Sequence, residues 1–445
     1  MEAKNRRIFA IAIPATIDNV LQNLVLFVDG LLIAKISLSA VAGIGIANSI
    51  LAIYLAVFIA VSVGASALVS QALGGNKRQE IAKSSGQAVF LVCIVGIVFG
   101  LISCFFATPI LKIMGAEATT FHDAKIFLCI VGGTSIFQAF QNIFASLLRA
   151  TEDARTPMKV SLFVNLFNVG LDLVLIFGFG PIPALGVLGA AIATSIARAI
   201  GAGWLFLSVQ KSSAKFSIHD FLNFHHYKKL VNLSIPAALE RLVMRVGQVV
   251  YFTFIVAMGS NVFASHMIAA NIESFTYMPG FGLAAAATTL AGMSLGAGEK
   301  EEVCLFTKKA IYIGVISMSF LGIVEFIGAP WFASWFTSNV SAIQKIVIAL
   351  RIDAFIQPIL AINLIVIGAL QGMGDTKGPF YSTAIGMWVI RVFLVWFLGL
   401  KMRLGIAGVW LAIGVDVFMR TIFLVWRFQN DLSKNQSTFN QKKVM

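Results

Sequence analysis

Apolar residues run through this chain in long blocks separated by short polar stretches. Twelve blocks, each near or above the roughly 20 residues that a helix needs to cross a bilayer, lie close to 8–34, 45–73, 86–111, 125–148, 158–178, 185–209, 230–258, 265–292, 305–329, 345–370, 379–400 and 404–427. Strands of a membrane barrel would alternate apolar and polar positions over about ten residues, whereas these blocks are continuously apolar. The pattern predicts an all-α integral membrane protein with twelve transmembrane helices. Pro279-Gly280 should interrupt the eighth span inside the membrane, where broken helix is tolerated only against protein or a cavity.

The blocks also repeat. Ile13-Pro14-Ala15 returns as Ile235-Pro236-Ala237, Leu73-Gly74 with Glu80 as Leu295-Gly296 with Glu302, and Asp153 with Pro157 as Asp375 with Pro379, always 222 positions apart. Leu185, Gly186 and Gly189 return as Leu404, Gly405 and Gly408, an offset of 219, so three residues are lost between Pro157 and Leu185. A fixed offset held over such a length marks a duplicated unit. Six spans per unit is an even number, so the halves enter the membrane in the same orientation. They form two homologous six-helix lobes related by a pseudo-twofold axis along the membrane normal. The expected organisation is an N-terminal lobe over 1–210, a cytoplasmic linker over 211–229 and a C-terminal lobe over 230–428. A cytoplasmic, disordered tail rich in Asn, Gln, Ser and Lys follows over 429–445.

Composition agrees: 58% of residues are hydrophobic and 12% charged, against about 25% charged in an ordinary soluble domain. The formal net charge of +13 invites a nucleic-acid reading, which its distribution removes. With the N-terminus inside, twenty-one Lys and Arg fall on the cytoplasmic side. Only Lys35, Lys112, Lys125, Lys345, Lys401 and Arg403 fall outside, the positive-inside asymmetry of a multi-pass protein. Both termini are then cytoplasmic, and the expected setting is the cell (inner) membrane, with the lipid bilayer as partner and the chain a monomer. The first span carries Asp18 and Asp29 without a small-residue cleavage site, so it reads as retained. Cys93, Cys104, Cys129 and Cys304 are dispersed, without metal spacing. His219, His225 and His226 lie in the linker, where a solvated connection is the plainer reading than a metal site that needs converging geometry. With no metal-binding His motif, nucleophile elbow or nucleotide loop, neither enzyme activity nor a cofactor is expected.

Charge inside the spans carries the functional information, because a carboxylate at mid-bilayer costs about 2.5–3.5 kcal/mol even on lenient scales. The candidates are Asp18, Asp29, Asp172, Glu240, Glu273, Asp353 and Asp416. Asp416 with Arg420, four residues apart, and Asp353 near Arg351 read as buried or interfacial ion pairs. Asp18 and Glu240 are repeat partners and read first as helix anchors. Asp29 and Asp172 differ. Asp18, Gln22 and Asp29 share one face of the first span, and Asn168 and Asp172 share one face of the fifth. Thr194 on the sixth span lies at a similar depth, roughly 9–15 Å from the outer ends by helical rise. Carboxylate, amide and hydroxyl oxygens so placed suit Na+ or protons. The other reading is an inert interhelical hydrogen-bond network.

The repeat bears on that choice. Asp29 maps to Tyr251, Thr194 to Ile413, and Asp172 to Leu394 or Arg391 depending on where the three-residue gap lies; no carboxylate is kept. Acids that merely served the fold would be expected in both halves. Arg391 itself faces the cavity, snorkels, or pairs with an acid of the second half.

With these features the chain resembles a known family, the multidrug and toxic compound extrusion (MATE) transporters. The resemblance spans essentially all twelve helices. It rests on Ile13-Pro14 with Phe27-Val28-Asp29-Gly30, Leu73-Gly74-Gly75, and Leu148-Arg149-Ala150 with Asp153 and Pro157. In the second half it rests on Ile272-Glu273-Ser274, Met278-Pro279-Gly280-Phe281-Gly282, Leu295-Gly296-Ala297-Gly298 and Gly372-Met373-Gly374-Asp375-Thr376-Lys377. It implies export of varied, often cationic, amphipathic small molecules by antiport against Na+ or H+. It also implies a cation site in the N-terminal lobe: Asp29 as the first-span carboxylate, Asn168 with Asp172 as the fifth-span pair, Thr194 as the sixth-span hydroxyl. Asn142 is a weaker match that lies deeper, and Pro14 resembles the proline near which the first span bends. The chain departs from members with a second-lobe cation site: Leu360 and apolar neighbours stand where their tenth-span carboxylate would be, and Glu240 lies one turn early. A second-lobe Na+ site is not expected.

Candidate cavity residues are Gln22, Tyr54, Met244, Tyr251, Glu273, Tyr277, Met278 and Arg391. Thioethers and aromatics repack around different ligands, and Glu273, about two turns before the Pro279 break, offers negative charge to cations. The expected mechanism is alternating access between the halves, with ion and substrate favouring different states. A flippase for a lipid-linked or lipid-like substrate is the alternative. It would favour a cationic cavity, which Asp29 and Asp172 oppose.

Overall fold

Each apolar block folds as helix, because a backbone in hydrocarbon must satisfy its own N–H and C=O groups. The computed structural model describes residues 2–221 and 227–444. His225 and His226 of the expected linker lie outside the described residues. The first half runs α1 (Glu2–Ala34), α2 (Leu38–Gly74), α3 (Arg78–Phe105), α4 (Ala107–Ile113), α5 (Ala118–Phe127), α6 (Ser135–Ala150), α7 (Arg155–Phe177) and α8 (Val187–Gln210), followed by the short α9 (Ile218–Phe221). The second runs α10 (Tyr227–Ala257), α11 (Ser260–Thr276), α12 (Met278–Gly296), α13 (Lys300–Ser334), α14 (Val340–Met373), α15 (Lys377–Ile385), α16 (Val392–Leu394) and α17 (Gly405–Val444). π-Helical turns at Leu128–Gly132, Gly386–Arg391 and Val395–Lys401 extend α5, α15 and α16.

These elements supply the twelve spans. Among the described residues ten helices are long and apolar enough to cross a membrane unaided, and α5 with α6, bent by 47° around Gly133 and Thr134, makes an eleventh. The twelfth, α10, has 31 residues; Glu240, Arg241 and Arg245 make it less apolar than the rest. Two blocks differ in detail from the sequence pattern. The third span ends at Phe105, and α4 carries the chain on to Ile113. The eighth is interrupted at Tyr277, just before Pro279, whose ring and missing N–H stop the preceding helix from running through. The tail, expected to be disordered, continues α17 as helix to Val444; after Gly414 it contains no glycine or proline to stop it.

The duplication is visible in the backbone. Asn76 (φ 54) and Gly298 (φ 80), and Glu152 (φ 66) and Gly374 (φ 88), are left-handed residues 222 apart. Asp153 accepts a hydrogen bond from the Thr156 N–H at 3.0 Å, and its repeat partner Asp375 accepts one from the Gly378 N–H at 3.0 Å. The repeated acid thus satisfies an orphan donor in the first turn of α7 and of α15. Gly186 (φ 57) and Gly405 (φ 56) match at the shorter offset. The helix before them has 23 residues in the first half and 25 in the second. The second helix is not shortened, so the three missing residues fall after it, in the outer loop.

Contacts divide the chain into two compact units, Ile17–Ala238 and Met1–Thr16 with Leu239–Met445. The division falls two residues after Pro14 and two after Pro236, so α1 and α10 each contribute to both units. The first unit is built on Phe58, Leu128, Ile143, Leu147 and Leu148, all nearly or fully buried. The second is built on Ile255, Ile346, Leu350, Val409 and Trp410. Gly282 of α12 lets the start of α1 pack there, since a Cβ on it would lie 2.5 Å from the Ala12 carbonyl oxygen. Close approach through small residues is how helices associate in lipid, where apolar contact alone gives little preference.

Candidate functional site

In the unit of Ile17–Ala238, α1, α7 and α8 bring three charged groups together. Asp29 lies five residues before the end of α1 and Asp172 five before the end of α7, about 8 Å inside each helix end. Gly189 permits the approach of α8 to α7, because a Cβ there would overlap the Leu175 carbonyl. The Asp29 and Asp172 carboxyl groups are neighbours. Asp172 is 2% exposed, while Asp29 is half-buried. Arg198 of α8 lies near Asp29 and interacts with it electrostatically, without a direct ion pair. Buried and unpaired around them are Oδ1 of both aspartates, Nη1 of Arg198, and Nδ2 of Asn165 and Asn168. Buried polar atoms are nearly always satisfied, so a pocket with this many orphans suits an additional polar or charged occupant.

Of the residues expected in the site, Asp29 and Asp172 meet in this way, and Asn168 is buried one turn before Asp172 on α7. Thr194 and Asn142 turn back on their own helices: Thr194 donates to the Ala190 carbonyl at 2.9 Å and Asn142 to the Gln138 carbonyl at 2.8 Å. Each keeps oxygen lone pairs, but neither is hydrogen-bonded to an aspartate. Arg198 escaped the sequence reading. Its signal was the four-residue spacing from Thr194, which puts both on one face of α8. Asp18 accepts from Gln22 at 3.2 Å and pairs with Arg149 at 3.4 Å, a local anchor of the kind its position suggested.

In the other unit the expected Asp416–Arg420 ion pair forms, whereas Asp353 departs from the sequence expectation. Asp416 takes Arg391 as its main partner at 2.7 Å, with Arg420 farther off at 3.8 Å. Gly386 leaves room for this pair, since a Cβ there would overlap both Asp416 and Arg420. Arg420 donates to the Thr383 hydroxyl at 2.8 Å, and Thr383 donates to Glu240 at 3.3 Å. Asp353 is not paired with Arg351, whose guanidinium sits 5.2 Å from the Phe326 ring centroid. Asp353 instead accepts from Gln357 and lies against Glu325, an acid the sequence reading passed over. Among the described residues no group of three or more His, Cys, Asp or Glu is placed to hold a metal ion.

The candidate cavity residues separate into buried and accessible sets. Tyr54 accepts from Ser103 at 3.0 Å and stacks on Phe99 with ring centroids 4.3 Å apart. Tyr251 is buried against Phe252 and His266, with Arg391 over its ring, and Met278 is fully packed. Gln22 and Met244 are exposed, and Glu273 and Tyr277 are half-buried.

The MatE family profile matches residues 14–174 and 236–397, one match per repeat, each starting at its duplicated proline. The chain is 28% identical to a probable multidrug resistance protein NorM of Thermotoga maritima over 99% of its own length and 95% of that protein's. It is 27% identical to the uncharacterized transporter YisQ of Bacillus subtilis, covering 90% of this chain and 89% of that one. A MATE family transporter of the MOP superfamily, solved in an outward-facing conformation, superposes with a TM-score of 0.91 at 20% identity, over 97% of this chain and 96% of the other. A twelve-helix chain written twice, with the family's profile on both copies, belongs to the MATE family of membrane transporters.

Proposed function

We propose that this protein is a secondary active multidrug efflux transporter of the cell membrane, exporting amphipathic, often cationic compounds by antiport with H+ or Na+ at Asp29 and Asp172. The observation that carries this reading is the juxtaposition of the Asp29 and Asp172 carboxyl groups, from two helices whose repeat-related positions hold no acid, each retaining a buried oxygen without a donor. Two carboxylates in contact repel unless a proton or cation lies between them. The pair therefore takes up a cation when α1 and α7 come together and releases it when they part. Alternating access makes such a local exchange do transport work, provided the ion and the substrate favour different states. The relatives of Thermotoga maritima and Bacillus subtilis named as probable multidrug resistance proteins support the substrate class. Half-buried Glu273 supplies negative charge for cationic substrates in the other unit. The chain acts as a transporter and not an enzyme, without a cofactor, as a monomer with both termini in the cytoplasm.

Dye efflux from proteoliposomes under separately imposed Na+ and pH gradients tests this. One gradient should drive efflux by the unaltered protein and so name the ion. Asp29→Asn and Asp172→Asn should each abolish gradient-driven efflux while leaving expression intact; undiminished efflux by either variant overturns the site.

A further inference from the structure

Glu325 of α13 has no role in the reading above, yet it is 2% exposed in the interior of the unit of Leu239–Met445, and both of its carboxyl oxygens lack a hydrogen-bond donor. It lies about 14 Å inside the end of α13 by helical rise. Its neighbour across the helix pair is Asp353 of α14, 1% exposed. Gly322, one turn from Glu325, makes the approach possible: a Cβ there would lie 2.9 Å from the Ala354 carbonyl oxygen and 3.5 Å from Gln357 Cβ. Gln357 is fully buried and donates through Nε2 to Asp353 Oδ2, leaving its own Oε1 unpaired.

Every orphan atom in this cluster is an acceptor: Oε1 and Oε2 of Glu325, Oδ1 of Asp353 and Oε1 of Gln357. What the cluster lacks is a donor or a positive charge. The basic groups nearby are engaged elsewhere, Arg351 on the Phe326 ring and Arg391 with Asp416. From α11, Glu273 is a third acid within electrostatic reach, and Thr276 lies near Glu325 without reaching hydrogen-bonding geometry. Tyr277 follows at the end of α11, with Arg245 of α10 acting on it from a distance. α12, packed on both α13 and α14, carries no titratable side chain. On α17, Asp416 and Arg420 belong to the Arg391 network. His266 of α11 packs edge-on against Tyr251 and Trp410, within the same network's reach.

We propose that Glu325 and Asp353 share a proton and form a second proton-binding site, separate from Asp29 and Asp172 and confined to the other unit. Two buried acids side by side, with no basic partner among the described residues, are held together by one proton between them, and Gln357 orients Asp353 to receive it. A metal cation is the poorer fit, since no third carboxyl group converges on the pair. The proposal does not depend on the ion that Asp29 and Asp172 bind. It predicts a titration that survives their removal.

The test is infrared difference spectroscopy of the full chain in lipid nanodiscs, following the carbonyl stretch of protonated carboxyl groups across a pH titration. In an Asp29→Asn/Asp172→Asn background, a buried protonated-carboxyl band should persist. Adding Glu325→Gln or Asp353→Asn should remove it and lower the protons released on alkalinisation by about one per protein. Either substitution serves if the other fails to fold, as judged by thermal unfolding. A band unchanged in both variants overturns the proposal. So does a band that Na+ displaces at fixed pH, which would mark the occupant as a metal ion.

Discussion

Arg198 stands near Asp29 as a cation that cannot leave, and this sets what the pair asks of solution. Two carboxylates beside one guanidinium carry a net charge of one, so a single monovalent cation completes the balance. Without Arg198 the deficit doubles, and at an effective dielectric near 20 a charge within electrostatic reach alters the affinity for an added cation by roughly tenfold or more. Arg198→Gln should therefore lower the half-maximal concentration of the coupling cation by about that factor and slow turnover, because release becomes harder. Ion-concentration dependence of dye efflux checks it; an unchanged half-maximal concentration would show that Arg198 does not act on the site. Asp29 and Asp172 could be read from sequence because an acid in an apolar block is conspicuous and the other repeat lacks it. Arg198 and Glu325 could not be, since their roles depend on which residues of other helices they meet. Asp353 was misassigned for the same reason: Arg351 is near it in sequence, but on a helix two residues apart is almost opposite in direction.

Helices carry the site only if they approach closely enough, and glycine sets that distance. Gly189 sits against the Leu175 backbone at the level of Asp172, where the obstruction is a carbonyl that cannot rotate away. A methyl group there should part α7 and α8 at a cost of about 1–3 kcal/mol, the usual range for overpacking. Gly203, on the same helix with open space beside it, is the matched control. Gly189→Ala should lower the thermal unfolding temperature and reduce efflux, and Gly203→Ala should do neither; equal behaviour of the two would remove packing as the explanation. Element boundaries were legible wherever a residue enforces them, as Pro279 does in the eighth span. The π-helical turns were not. They widen α5, α15 and α16 without any residue in the sequence that requires it. The place of the three-residue gap likewise needed the left-handed pair Gly186 and Gly405, which alignment of apolar helix residues cannot fix.

At the scale of the whole molecule, a symmetric scaffold carries an asymmetric distribution of chemistry. The prolines, the capping aspartates and the left-handed turns are duplicated, whereas Asp29 and Asp172 have no acidic counterparts and Glu325 faces only its own unit. Pro14 and Pro236 isolate the difference. Both lie inside long helices, and both stand two residues before the chain passes from one contact unit to the other. Each removes a backbone hydrogen bond and leaves a point where the helix can bend. If bending served the fold alone, the two would be interchangeable. α1, however, carries Asp29 beyond its proline, and α10 carries Tyr251 at that place. Pro14→Ala and Pro236→Ala should thus have similar effects on unfolding temperature. They should differ in transport, with Pro14→Ala slowing gradient-driven efflux by about tenfold and Pro236→Ala by less than about twofold. Parallel unfolding and efflux measurements decide it. Equal losses of transport would mean that movement at the two helices is shared between the halves, and that the ion site in the first half does not by itself set the direction of the cycle.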